Sequence, residues 1–244
     1  MIENIENLPD EEIRIAAIAF AKHNKEKIAK ELTDPAIYAP SKFLVSVFMA
    51  GSPGAGKTEY SKRLIEILEQ NKERRVIRID ADEIRPRMPG YTGYNSHLFQ
   101  GAVSLIVEKI HDLALHRGQN FIFDSTFFKY DKAADNIRRS LGKTRIVFIF
   151  YLYQDPKVAW KFTEIREKKE GRNIPKPAFV EQFLGARETV SLIRKEFGEE
   201  VMIILVKRDF EKDTIDALFE IRPGVTIDDY LKISYNKEEL ESIL

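Results

Sequence analysis

The 244-residue chain contains no cysteine, which excludes disulfides and thiolate metal sites and fits a reducing compartment. It has no excess charge of either sign. Lys plus Arg and Asp plus Glu number 39 each, so the formal net charge is zero. A broad basic footprint is therefore missing, and nucleic acid is not an expected partner. No apolar run approaches the length of a membrane span. The opening MIENIENLPDEEIR is acidic and lacks the basic-then-apolar order of a signal peptide. These absences predict a soluble, cytoplasmic protein with no membrane association. Histidine is scarce as well. His97, His111 and His116 form no metal-ligand constellation, since His111 and His116 stand five residues apart rather than four. All three are expected to be solvated.

What is present is a phosphate-binding loop. Gly51-Ser52-Pro53-Gly54-Ala55-Gly56-Lys57-Thr58 fits G-x-x-x-x-G-K-[ST], with Glu59 next. Its glycines let the backbone wrap closely and aim N–H groups at phosphate oxygens. Lys57 would reach the β- and γ-phosphates, and the Thr58 hydroxyl would ligate Mg²⁺. The context agrees. FLVSVFMA, residues 43–50, reads as a buried strand. Residues 59–70 read as a helix, with Leu64, Ile65, Ile67 and Leu68 in the spacing of one face. ATP and Mg²⁺ are the cofactors this pattern implies.

Strands alternate with helices along the chain. Further strands are predicted at 75–80, 120–126, 145–153 and 201–207. Helices are predicted at 9–33, 98–115 and 132–141, and over 156–197 with a break at GRNIPKP. The predicted fold is α/β: a P-loop NTPase-type, doubly wound parallel sheet of about five strands, with helices on both faces and a helical lid. The predicted division is N-terminal helices over 1–42, a P-loop kinase domain over 43–210 with its lid at about 156–180, and a C-terminal segment over 211–244 packed on the same domain. The 42 residues before the first strand could hold two short helices, either packed on the sheet or shielding the site.

Ligands in such sheets sit beyond the carboxyl ends of the strands, so functional residues should follow each strand. Asp80, Asp82 and Arg85 follow the second. A kinase needs one carboxylate to accept the proton of the attacking hydroxyl; the plainer alternative is a helix cap. Asp124, Ser125 and Thr126 follow the third strand, where an acid resembles a Walker-B position. Arg166 and Arg172 lie past the fourth, in REKKEGRNIP. Arginines on a mobile segment can close over the charge of a transferring phosphoryl group. Trp160 could pack under the lid or touch a base. A regulatory GTPase would carry N-K-x-D late in the chain, and an assembly ATPase consecutive acids at Asp124; neither is present. A small-molecule kinase remains.

The order AGSPGAGKTE, IDADEIR, DST and REKKEGRNIP resembles the zeta-toxin family of bacterial phosphotransferases over roughly residues 20–207. The resemblance implies an ATP- and Mg²⁺-dependent kinase of the 3′-hydroxyl of UDP-N-acetylglucosamine, a sugar-nucleotide substrate, and an antitoxin as a protein partner. By motif position it implies Asp82 as general base, Lys57 as phosphate-loop lysine, and Arg166 and Arg172 as contacts of the transferring phosphate. Asp80, Arg85, Glu108, Asp124 and Thr126 fall to the acceptor. The sequence departs from the family's common E-G-T at Asp124-Ser125-Thr126, and its 85–100 stretch differs too. Asp is shorter than Glu by about 1.5 Å of reach, and both departures lie on the acceptor side. Other acceptors (a nucleoside, another sugar nucleotide, a polynucleotide end) and a nucleotide-binding module without transfer are the alternatives.

Overall fold

A computed structural model describes residues 9–70, 75–209 and 214–244. At its centre is β1 (Val45–Ala50), buried almost throughout, as an apolar strand covered on both faces should be. It pairs in parallel with β3 (Phe121–Asp124) on one side and β4 (Ile146–Tyr153) on the other. Beyond β3 lies β2 (Ile77–Asp80), and beyond β4 lie β5 (Val201–Asp209) and β6 (Thr214–Ile221). The order is β2-β3-β1-β4-β5-β6. Five strands run parallel as predicted; the sixth is antiparallel to β5 and closes one edge. Exposure alternates along its second half, with Leu218 and Glu220 outward and Ile221 inward. That one-sided pattern suits an edge strand, and it is weaker in sequence than an apolar run.

The crossing helices are α2 (Lys57–Leu68), α4 (Gln100–His116), α5 (Tyr130–Leu141), α6 (Pro156–Glu170) and α7 (Lys176–Phe197), with one short turn, α3 (Ala81–Ile84), after β2. The predicted break at GRNIPKP separates α6 from α7. Two short helices, α8 (Ile227–Leu231) and α9 (Lys237–Ile243), end the chain. Each begins with a capping box, from Thr226 and Asn236.

Among the described residues ahead of β1 there is one long helix, α1 (Asp10–Leu32), where two short ones were expected. Its buried side chains are Ile13, Ala17, Ala21, Ile28 and Ala29. Small residues at this spacing let it lie close along α4, where Ile18 meets Gly101 and Glu26 pairs with Lys109 at 2.6 Å. Its main packing partner is α4, with the turn at Ser96–Phe99 just before it.

His111 corrects a sequence expectation. His97 and His116 are exposed, but His111 is 1% exposed. Its ring meets Phe48, Phe121 and Phe123 edge-on. Burial, with the charges of Arg139 and Arg145 behind it, lowers its pKa to about 3. The imidazole stays neutral and packs as a small aromatic, so burial penalises a charge it does not carry.

Candidate active site

The phosphate loop bridges β1 and α2 directly beneath α6. Gly54 has φ +71, and a Cβ there would stand 2.0 Å from the Ala159 carbonyl oxygen of α6. Only glycine fits. No side chain caps the N-terminus of α2, so its leading N–H groups are not spent on one. The Ser52 Oγ is buried without a partner. Lys57 is buried, and its Nζ donates to the carbonyls of Gly51 at 2.9 Å and Ser52 at 2.7 Å. Burial pulls its pKa down to about 8, helped by Arg172 and Arg166 and opposed by Asp124 and Asp82. Helix-end amides, an orphaned hydroxyl and a buried ammonium make a donor set that suits a phosphate chain. Among the described residues, no group of three His, Cys, Asp or Glu side chains could hold a metal ion.

β2 and β3 end side by side, with Asp80 in register with Asp124. Asp80 does cap α3, its Oδ1 accepting the Asp82 N–H at 2.8 Å, so the plainer reading of this residue also holds. Its other oxygen faces Arg78. The Arg78 Nη2 lies 2.5 Å from Asp80 Oδ2 and 2.6 Å from Asp124 Oδ2, while Nη1 pairs with Glu83. The Arg78 Nε donates to Ser61 Oγ at 3.0 Å, and that hydroxyl donates in turn to Asp124 Oδ2 at 2.9 Å. Three carboxylates thus compete for one guanidinium. Burial, then the charges of Asp124 and Asp82, lift the Asp80 pKa to about 6 despite Arg78. Two like charges about 4 Å apart repel by about 4 kcal/mol at an effective dielectric of about 20, so the cation between them matters.

Asp82, two residues on, is gripped by three arginines. Arg85 takes its Oδ1, while Arg166 (3.1 Å) and Arg172 share its Oδ2. Arg85 is steadied by Gln100 at 2.7 Å, and Arg166 by Glu170 at 2.8 Å. Arg172 reaches Asp82 because α6 ends at Gly171 in the left-handed conformation (φ 71), which turns the chain back. Burial would raise the Asp82 pKa, but Arg172, Arg85, Arg166 and Lys57 outweigh it and hold the carboxyl below its usual range.

The structure therefore brings together Lys57, Asp80, Asp82, Arg85, Asp124, Arg166 and Arg172, drawn from four separate stretches of chain. Thr126 lies beside the loop, its carbonyl accepting the Gly51 N–H at 3.2 Å. Glu59 is exposed on α2. Glu108 stands apart: it is exposed on α4 and pairs with Lys132 of α5 at 3.5 Å. Trp160 packs edge-on against Phe179 of α7, between the two helices. Sequence reasoning missed Arg78 and Ser61. A signal existed for Arg78, which sits two residues before Asp80 and so shares its face of the strand. It also missed the clasp between the PGYTGYNS loop and the end of α6. A Cβ on Gly93 (φ +90) would stand 2.4 Å from the Glu170 carbonyl oxygen, and the Tyr94 ring lies against Gly171.

Comparison with known proteins places these features. A sequence profile described as Zeta toxin matches residues 28–219. No curated protein matches the chain in sequence. A solved chain from the PezAT chromosomal toxin–antitoxin system of Streptococcus pneumoniae is 18% identical, with a TM-score of 0.65, covering 92% of this chain and 91% of that one. A chain of the AvrRxo1-ORF1:-ORF2 complex with ATP is 12% identical, with a TM-score of 0.57, covering 97% of this chain and 72% of that one. A chain of the Pnkp1/Rnl/Hen1 RNA repair complex is 18% identical, with a TM-score of 0.50, over 62% of this chain and 47% of that one. At these identities the solved structures show a shared fold.

Proposed function

The chain belongs to the zeta toxin family, and from that premise we propose that it is an ATP-dependent phosphotransferase acting on the 3′-hydroxyl of UDP-N-acetylglucosamine. One observation carries the transfer chemistry. Three arginines converge on Asp82 at the strand ends, across from the lysine of the phosphate loop. A base surrounded by groups that bind phosphate oxygens is the arrangement that in-line transfer requires.

The residues divide the work as follows. Lys57 exchanges the Gly51 and Ser52 carbonyls for phosphate oxygens of ATP. The Thr58 hydroxyl would hold Mg²⁺, which when bound would supply charge neutralisation at the phosphates. The acceptor oxygen bonds to the γ-phosphorus as the bond to the bridging oxygen breaks, ADP leaves, and the acceptor proton passes to Asp82. Arg166 and Arg172 meet the charge that spreads over the transferring group. Their present grip keeps Asp82 ionised but weakly basic. As they turn to the phosphate, its basicity rises at the moment a proton must be taken. Asp80, Arg85, Asp124 and Thr126 line the acceptor side. A protein antitoxin covering the nucleotide site is the partner this reading implies.

The acceptor can be tested directly. Wild type and Asp82→Asn are incubated with ATP, Mg²⁺ and UDP-N-acetylglucosamine, and products are read by mass spectrometry. The expected product is heavier by one phosphoryl group and absent with the variant. ATP turnover with no such product would refute this acceptor. A different small acceptor is the second reading. It is favoured by Asp124 being turned to Arg78 and Ser61 and by Glu108 standing outside the cluster.

A further inference from the structure

We propose that Arg78 is a positioning residue for phosphoryl transfer, fixing the carboxylates at the ends of β2 and β3 in register with the phosphate-loop helix. The inference rests on the phosphotransferase reading above but not on the identity of the acceptor.

The placement is specific. The Arg78 side chain is 8% exposed, and its guanidinium reaches its own strand end and three further elements, β3, α3 and α2. On β3 it holds Asp124; at the cap of α3 it holds Asp80; within α3 it holds Glu83; on α2 it holds Ser61. Ser61 closes the circuit. Its hydroxyl is 3.0 Å from the Thr58 carbonyl and 2.9 Å from the same Asp124 oxygen that Arg78 binds. Thr58 and Lys57 sit in the first turn of that helix. A single side chain thereby sets the separation between the helix that holds phosphate and the turn that carries Asp82. β1, which leads into α2, and β2 are not neighbours in the sheet, since β3 lies between them.

The chemistry also demands arginine. Asp80 and Asp124 would repel each other at adjacent strand ends, and Arg78 Nη2 stands between their Oδ2 atoms. Lysine could supply the charge, but one ammonium on a flexible stem cannot reproduce a planar fork that serves four partners at once. Transfer tolerates little misplacement, and a shift of about 1 Å in the base or the phosphate costs about 100-fold in rate.

The test compares wild type, Arg78→Met and Arg78→Lys. Calorimetry with ATP and Mg²⁺ alone gives affinity and the fraction of competent sites. Turnover is then expressed per competent site, with UDP-N-acetylglucosamine as acceptor, or with water as acceptor if no sugar product forms. Arg78→Met is expected to bind ATP within about fivefold of wild type and to lose about 100-fold or more in kcat per site. Arg78→Lys should recover part of that loss while remaining below wild type. The proposal is overturned if Arg78→Met turns over at the wild-type rate per site, or if its loss merely follows the fraction of competent sites. If wild type neither transfers nor hydrolyses, the phosphotransferase reading fails and takes this inference with it. If it hydrolyses without making the sugar product, only the acceptor is wrong and the Arg78 comparison stands.

Discussion

Replacing Asp80 by Asn should stabilise the protein at neutral pH and do so less in acid. Asp80 is buried, and its pKa lies at about 6 instead of 3.8 because burial, Asp124 and Asp82 act against Arg78. A carboxyl whose folded pKa is raised favours the protonated folded form. It therefore lowers stability as pH rises from the unfolded value through the folded one. The rise corresponds to about 3 kcal/mol at about 1.4 kcal/mol for each tenfold. About 2 kcal/mol of that accrues between pH 4.5 and 7.5. Asn keeps the cap, since its Oδ1 can still accept the Asp82 N–H. It also puts an NH₂ against Arg78, at a cost of about 1–2 kcal/mol at any pH. The net stabilisation at pH 7.5 is then about 1–2 kcal/mol, falling to zero or below at pH 4.5. Urea unfolding of both proteins at the two pH values measures the difference, in which the titrations of groups not coupled to Asp80 cancel. A difference that does not change with pH would refute the account of Asp80 as a strained carboxylate. Activity should fall in the same variant, since the ionised group lies beside Asp124 and Asp82.

Lys57 predicts the opposite trend for nucleotide binding. Its pKa of about 8 means that the ammonium is charged below that value, so ATP affinity should be full below about pH 7.5 and weaken above pH 8. Calorimetric titration from pH 6.5 to 9.5 tests this, and a flat profile would count against it. Arg172→Ala should reduce kcat about 100- to 1,000-fold while changing the KM for ATP less than about fivefold. Arg172 does most to lower the Asp82 pKa against the effect of burial, so the acid limb of kcat/KM should move to higher pH in that variant. An unmoved limb would separate Asp82 from the observed titration.

The sequence made the parallel sheet legible because each buried strand is a short apolar run followed by functional polar residues. Asp82, Arg166 and Arg172 were found by that rule, and the structure brings them together. Arg78 was missed for the converse reason: it is a charged residue inside a strand, matches no motif, and draws its partners from its own strand end and from three other elements. His111 was misread because polarity alone does not tell a neutral ring from a charged one. β6 escaped because it is an edge strand with one exposed face, which breaks up the apolar run that marks the other strands. The clasp of Gly93 on Glu170 involves no side-chain chemistry, so no motif announces it.

That clasp has a partner at the opposite end of α6. The helix rests on Gly54 of the phosphate loop at Ala159 and on Gly93 at Glu170, each at a spacing that admits no side chain. The helix is thus seated close at both ends, and the outer seat belongs to the short span that carries Tyr94, which is 73% exposed. A side chain added at Gly93 would lift the outer end of α6 from its seat while leaving the seat at Gly54 in place.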